Sequence, residues 1–253
     1  MMLASSSDSH QQRWLPVLLA ALVATAPAAG QAEPSVPDAV LLDSAPLSRA
    51  VGQPPASGSA TARQDLAILL WLQQARTPEL ISGSWTLLER NPVSFSRALG
   101  VDMAKTTPVL NTALKAFLKP VDAVKDQLKD RYQRPRPFVT HAQIQPCLPL
   151  EKGASFPSGH STWYRAASEL LADLVPERRE RLLAVGRHGG NSRVFCAVHY
   201  PSDVEAGQRL GAAAAAQLIQ SPQWQAFKRS AELQAELDAV RRVPDSALPE
   251  LVH

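Results

Sequence analysis

The stretch TPVLNTALKAFLKPVDAVKDQLK, residues 107–129, decides the fold class. Its apolar positions Leu110, Leu114, Phe117, Val121, Val124 and Leu128 are spaced 4-3-4-3-4, one stripe of an α-helix. Pro120 falls inside the stripe and is expected to kink the helix or split it in two. Outward from it the chain reads as more helices. One is expected to start near Thr61, carry Leu66, Leu69, Leu70 and Leu72, and stop at Thr77-Pro78. A shorter one runs from Ser84 to Arg90 and ends at Asn91-Pro92. On the other side, helices are expected at Ser161–Leu174, Glu177–Arg187, Asp203–Ile219 and Gln223–Arg242. The Ala-rich run Gly211 to Ala216 is too short to span a membrane and reads as a buried helix. Among 253 residues Gly is sparse at 12, Ala is abundant and β-branched runs are scarce, which fits helices better than sheets. The expectation is an all-α, single-domain helical bundle.

Composition narrows the function classes. The chain carries a formal net charge of +3 with no Lys/Arg run longer than two, so a nucleic acid polymer is not an expected partner. No apolar run approaches the ~20 residues of a membrane-spanning helix. Arg13, the apolar run Trp14 to Ala24 and the small residues Ala24-Thr25-Ala26-Pro27-Ala28-Ala29 form a secretory signal pattern. Residues 1–32 are therefore read as a signal peptide cleaved after Ala28 or Ala32. Pro16 and Pro27 argue against an anchor helix, and a periplasmic location is expected with no membrane contact after cleavage. Residues 33–60, rich in Pro, Ser, Gly and Ala, read as an irregular arm, leaving 61–253 as the helical domain. In an oxidising compartment the only two cysteines, Cys147 and Cys196, are expected to form a disulfide.

Three clusters join cationic or imidazole groups to residues that stiffen the backbone: Lys129 to Pro137, Ser155 to His160, and Ser192-Arg193 with His199 and Asp203. Lys129 at a helix end and Arg136 in a proline-rich turn present a point charge and a planar fork, shapes that suit phosphate oxygens. Pro157-Ser158-Gly159-His160 opens a helix whose first N–H groups are unpaired and can hold an anion. Ser158 adds a hydroxyl, Gly159 permits close approach and Arg193 adds a second fork. His199 with Asp203 four residues on can form a nucleophile and its orienting partner, and His160 can act as a proton donor. No carboxylate cluster accompanies the histidines, so neither a metal nor another cofactor is expected.

The pattern Lys-x6-Arg-Pro, Pro-Ser-Gly-His, Ser-Arg-x5-His-x3-Asp resembles the signature of the type-2 phosphatidic acid phosphatase superfamily, filled here without departure. Ser155-Phe156, Cys196 and Tyr200-Pro201-Ser202 beside it look like the secreted class A bacterial non-specific acid phosphatases. The resemblance implies metal-independent hydrolysis of small organic phosphate monoesters (nucleotides, sugar phosphates, aryl phosphates) through a phosphohistidine. It implies His199 as nucleophile, Asp203 as its partner and His160 as acid. Lys129, Arg136, Ser158, Gly159, His160 and Arg193 would hold the phosphoryl oxygens. Three alternatives stand beside it: a vanadium-dependent haloperoxidase, a lipid phosphate phosphatase and a non-catalytic periplasmic phosphate-binding protein. Homo-oligomerisation and phosphotransfer to alcohols are left open. A Cys147–Cys196 bridge would tie the loop before Pro157 to the floor of the site. Trp71 and Trp85 are expected in the core, Arg178-Arg179 on a solvated face, and His188 at a helix end beside Gly189-Gly190. Arg134 is open between the phosphate site and solvent, and His141 is unassigned.

Overall fold

The computed structural model describes residues 40–251; the expected signal segment and residues 33–39 of the expected arm lie outside the described residues. The first helices are α1 (Ser44–Val51), α2 (Ala60–Ala75) and α3 (Pro78–Thr86), followed by the short turns α4 (Ser96–Leu99) and α5 (Met103–Thr106). Next come α6 (Pro108–Tyr132), α7 (Pro137–Thr140), α8 (Gly159–Leu174), α9 (Arg179–Phe195) and α10 (Pro201–Gln220), then α11 (Pro222–Lys228) and α12 (Ala231–Arg241). Among the described residues there is no strand, and no helix is long and apolar enough to cross a membrane.

The 107–129 stripe is one helix. α6 runs unbroken through Pro120, and all six stripe positions are buried. The missing N–H at Pro120 frees the Ala116 carbonyl, but both residues sit on the half-buried side, where water can pair that oxygen. Phe117 meets the indole of Trp224 edge-on at 5.0 Å, and Trp224 Nε1 donates to Asp173 at 2.7 Å. Trp224 is thus a core tryptophan, whereas Trp71 and Trp85, expected there, are 65% and 48% exposed. Trp85 still has a use, since its Nε1 donates to the Cys147 carbonyl at 3.0 Å.

Other expectations need correction. The arm is not irregular throughout: Asp43 caps α1, and Leu47 and Val51 bury its apolar side. α1 packs on α10, and Arg209 of α10 donates to the carbonyls of Ala50 and Val51 at its end. Those partners are far along the chain, so the local composition does not announce them. Thr77-Pro78 ends α2 but also starts α3, because Thr77 caps Leu80 N and proline at the first position needs no N–H donor. The helix expected at Ser84–Arg90 is therefore displaced, and 87–90 become a turn. The last helix breaks at Ser230, which caps α12. Arg178 is not solvated; it is buried and donates to the carbonyls of Val240 and Val243.

α8 packs between α9 and α10, and glycines set the spacing. Gly189 and Gly190 lie inside α9 instead of ending it, which leaves His188 mid-helix. A Cβ on Gly189 would lie 2.2 Å from the Tyr164 ring, and one on Gly211 of α10 would lie 2.4 Å from the Thr162 carbonyl. The Thr162 contact is backbone and cannot swing aside. Gly211→Ala is therefore expected to cost about 1–3 kcal/mol of stability by overpacking, read as a lower urea midpoint. An unchanged midpoint would show that α8 and α10 can part freely.

Candidate active site

Asp203 sits in the first turn of α10, where its Oδ2 accepts from the Tyr200 N–H at 2.9 Å. The Ser155 hydroxyl donates to the same oxygen, and His199 Nδ1 lies 3.4 Å from it. Arg134 Nη1 donates to the other oxygen at 2.6 Å. His199 is in the turn joining α9 and α10 and, like Asp203, is buried. Its Nε2 lies 3.2 Å from Arg136 Nη1, which can only donate. The bonding pattern therefore assigns the ring proton to Nδ1 and a lone pair to Nε2.

Electrostatics agree with that tautomer. Burial, aided by Arg136 and Lys129, holds the His199 imidazole down at about 4 against the pull of Asp203. Burial pushes the Asp203 carboxyl up, but the His199 hydrogen bond and the charges of His199 and Arg134 outweigh it, and the net direction is down. The pair is an anionic carboxylate beside a neutral imidazole. Burial first and Arg193 second hold His160 at about 3, opposed by its bond to Leu88 and by Glu151.

Cationic groups converge around His199. Lys129, in the last turn of α6, donates to the Ala154 carbonyl, and burial lowers its ammonium to about 8. Arg136, just before α7, donates to the Gly153 carbonyl at 2.8 Å, the Val198 carbonyl at 3.0 Å and the Glu151 carboxylate. Arg193, in the last turn of α9, donates to the Leu87 carbonyl, and its buried Nε has no partner. Ser158 caps α8 through Ser161 N, and its own N–H donates to the Asp203 carbonyl at 2.9 Å. A Cβ on Gly159 would come within 3.1 Å of Lys125 Cδ, so a side chain there would crowd that lysine. His160 Nε2 donates to the Leu88 carbonyl at 2.8 Å, leaving Nδ1 facing Glu151 Oε1 at 3.8 Å. Cys147 and Cys196 form a disulfide that joins the loop before Pro157 to the turn carrying His199.

The candidate site residues of the three sequence clusters from Lys129 to Asp203 are thus drawn into this region, and the structure adds others. Arg134 neither binds in the cationic group nor points outward. It bridges Asp203 and Asp65 with its guanidinium 4.0 Å above the Tyr200 ring. Asp65, buried on α2, also accepts from Ser202 N at 3.0 Å. Nothing local marks it: it is 137 residues from Ser202. Ser155 opens the second recognised cluster but was given no role there, and Glu151 lies between the first two clusters; those positions were the available signal. His141 only sets its ring edge-on to Tyr200 at 6.2 Å. Among the described residues no three His, Cys, Asp or Glu side chains gather as a metal site.

Residues 107–227, which contain all three clusters, match the PAP2 superfamily. The chain carries a PAP2 superfamily domain. It is 31% identical over 139 residues to a non-specific acid phosphatase of Providencia stuartii, covering 52% of this chain and 56% of that one. It is 38% identical over 114 residues to the non-specific acid phosphatase of Salmonella typhimurium, covering 44% and 45%. The matches thus span about half the length of these curated relatives. Among solved structures, a transmembrane PAP2-type phosphatidylglycerolphosphate phosphatase from Bacillus subtilis shares the fold. It has a TM-score of 0.50 and 21% identity over 68% of this chain and 88% of that one. Asp65 falls outside the PAP2 match, so Arg134 inside the match is shared between Asp203 and a carboxylate from a segment that precedes it.

Two outcomes are expected. Arg134→Ala strips the charge partner from two buried carboxylates and should cost about 3–5 kcal/mol in urea unfolding; wild-type stability would refute the network. Second, His199 and His160 bind protons more weakly folded than at the ordinary 6.5. Below 6.5 the unfolded chain takes up the protons, so stability should be full above that pH and fall towards 4. A melting temperature that is flat over this range would refute it. His199→Gln should flatten part of the fall.

Proposed function

We propose that the protein is a metal-independent acid phosphatase that hydrolyses small organic phosphate monoesters through a phosphohistidine. The observation that carries this reading is His199, whose Nδ1 proton is directed at Asp203 while its Nε2 lone pair faces the guanidinium of Arg136. The PAP2 match and the similarity to non-specific acid phosphatases support it.

In this reading the phosphoryl oxygens lie among Lys129, Arg136, Arg193 and the start of α8 at Ser158 and Gly159. Arg193 Nε, buried without a partner, is a donor available to one of them. Nε2 of His199 attacks phosphorus as the bond to the leaving oxygen breaks, and the new imidazolium is stabilised by Asp203. His160 gives a proton from Nδ1 to the leaving alkoxide. Water then attacks the phosphohistidine, His160 takes its proton back, and inorganic phosphate leaves with His199 neutral again. Burial makes His160 neutral on its own; the bound dianion favours imidazolium, so His160 takes up a proton from solvent as the substrate binds. The four fixed positive or donor elements supply the charge stabilisation that a metal supplies in other phosphatases.

Export to the periplasm belongs to the same proposal. The disulfide supports it, because such bridges persist in oxidising compartments.

The protein should hydrolyse p-nitrophenyl phosphate in excess chelator, and His199→Ala should lose at least about a thousandfold in kcat. Activity that requires added divalent metal would sink the metal-free reading. His160→Ala should slow alkyl phosphates far more than p-nitrophenyl phosphate, whose leaving group needs no proton. Equal losses on both would remove His160 as the acid. Vanadate, which adopts the five-coordinate geometry of the transferring phosphoryl group, should inhibit.

A further inference from the structure

The loop before α8 closes on the cationic groups from one side. Arg136 donates to the Gly153 carbonyl and to the Glu151 carboxylate, and Lys129 donates to the Ala154 carbonyl. Glu151 Oε1 also faces His160 Nδ1 at 3.8 Å. Its charge is felt at Lys129, His160 and Arg193. This one carboxylate therefore stands among the same groups that would bind a phosphoryl dianion. It is not locked in place, because its side chain is 42% exposed at the mouth of the site.

We infer that Glu151 is an internal competitor for the phosphoryl site: its carboxylate neutralises Arg136 and faces His160, and a phosphate group must displace it to bind. The inference rests on the reading of Lys129, Arg136 and Arg193 as phosphoryl-binding groups. Without an acidic residue at this point, Arg136 would face the charges of Lys129 and Arg193 uncompensated, and self-repulsion in a poorly solvated site is costly. A carboxylate relieves that repulsion yet leaves readily, since it carries one charge against the two of a phosphate dianion. Glu151 thus sets the threshold for entry: a ligand must out-compete a carboxylate, which favours doubly charged phosphate monoesters over singly charged diesters. Burial would raise the Glu151 carboxyl, but Arg136 and then His199 and His160 outweigh it and bring it to about 2. The permanently charged Arg136 guanidinium therefore keeps the competitor a carboxylate in mild acid.

The test is equilibrium binding of inorganic phosphate by calorimetry at about pH 7.5, where the dianion predominates and no turnover is needed. Glu151→Gln should bind phosphate about tenfold more tightly than the wild type, the fold-change of ~1.4 kcal/mol. Its melting temperature should also rise more with added phosphate. Glu151→Ala should behave alike, and Glu232→Gln, an exposed acid on α12, controls for net charge. Equal or weaker binding in both Glu151 variants would overturn the proposal, and so would equal tightening in Glu232→Gln. If the wild type binds phosphate but never turns over p-nitrophenyl phosphate, the phosphatase reading fails while these comparisons still decide the role of Glu151.

Discussion

The buried carboxylate of Asp203 is the constraint on which the site depends. An ionised group removed from water is tolerated only when each lone pair is answered. Here the answers come from the Tyr200 N–H, the Ser155 hydroxyl, the His199 ring and the Arg134 guanidinium. Those four partners come from the α9–α10 turn, the loop before α8 and the turn after α6. Satisfying one charge therefore fixes the relative positions of three segments, and His199 is oriented as a by-product.

Arg134 extends that constraint. It is shared between Asp203 and Asp65, so α2 is tied to the start of α10 by an acid–base–acid chain. The chain leaves Arg136, two residues on, free to present its fork to His199 and to the loop. Two arginines in one proline-stiffened turn thus have opposite duties. One neutralises the interior and the other faces the His199 ring.

Close packing of helices makes this possible. Gly189, Gly207 and Gly211 let α9 and α10 approach α8 so nearly that a single Cβ would collide. The Ser158 N–H then reaches the Asp203 carbonyl directly, which locks the start of α8 to the helix carrying the carboxylate. The Cys147–Cys196 bridge adds a covalent tie between the remaining loop and the same turn. In the chain-entropy picture a loop of this length contributes about 4 kcal/mol.

By itself the sequence determined the helical class, the long stripe from Leu110 to Leu128, and the candidate groups Lys129, Arg136, Ser158, Gly159, His160, Arg193, His199 and Asp203. These are local signals: periodicity, caps, and spacing within single segments. Tertiary structure alone decided what answers each charge. Asp65, Ser155, Glu151 and the inward turn of Arg134 depend on segments distant in the chain, and no local pattern encodes an ion pair across 69 residues. The same holds for Trp71 and Trp85, whose apolar rings suggest a core they do not join, and for α1, which is helical because α10 covers it. Gly189-Gly190 read locally as a helix end, yet they mark the closest approach of two helices, because a missing side chain relaxes the backbone and also makes room for a neighbour.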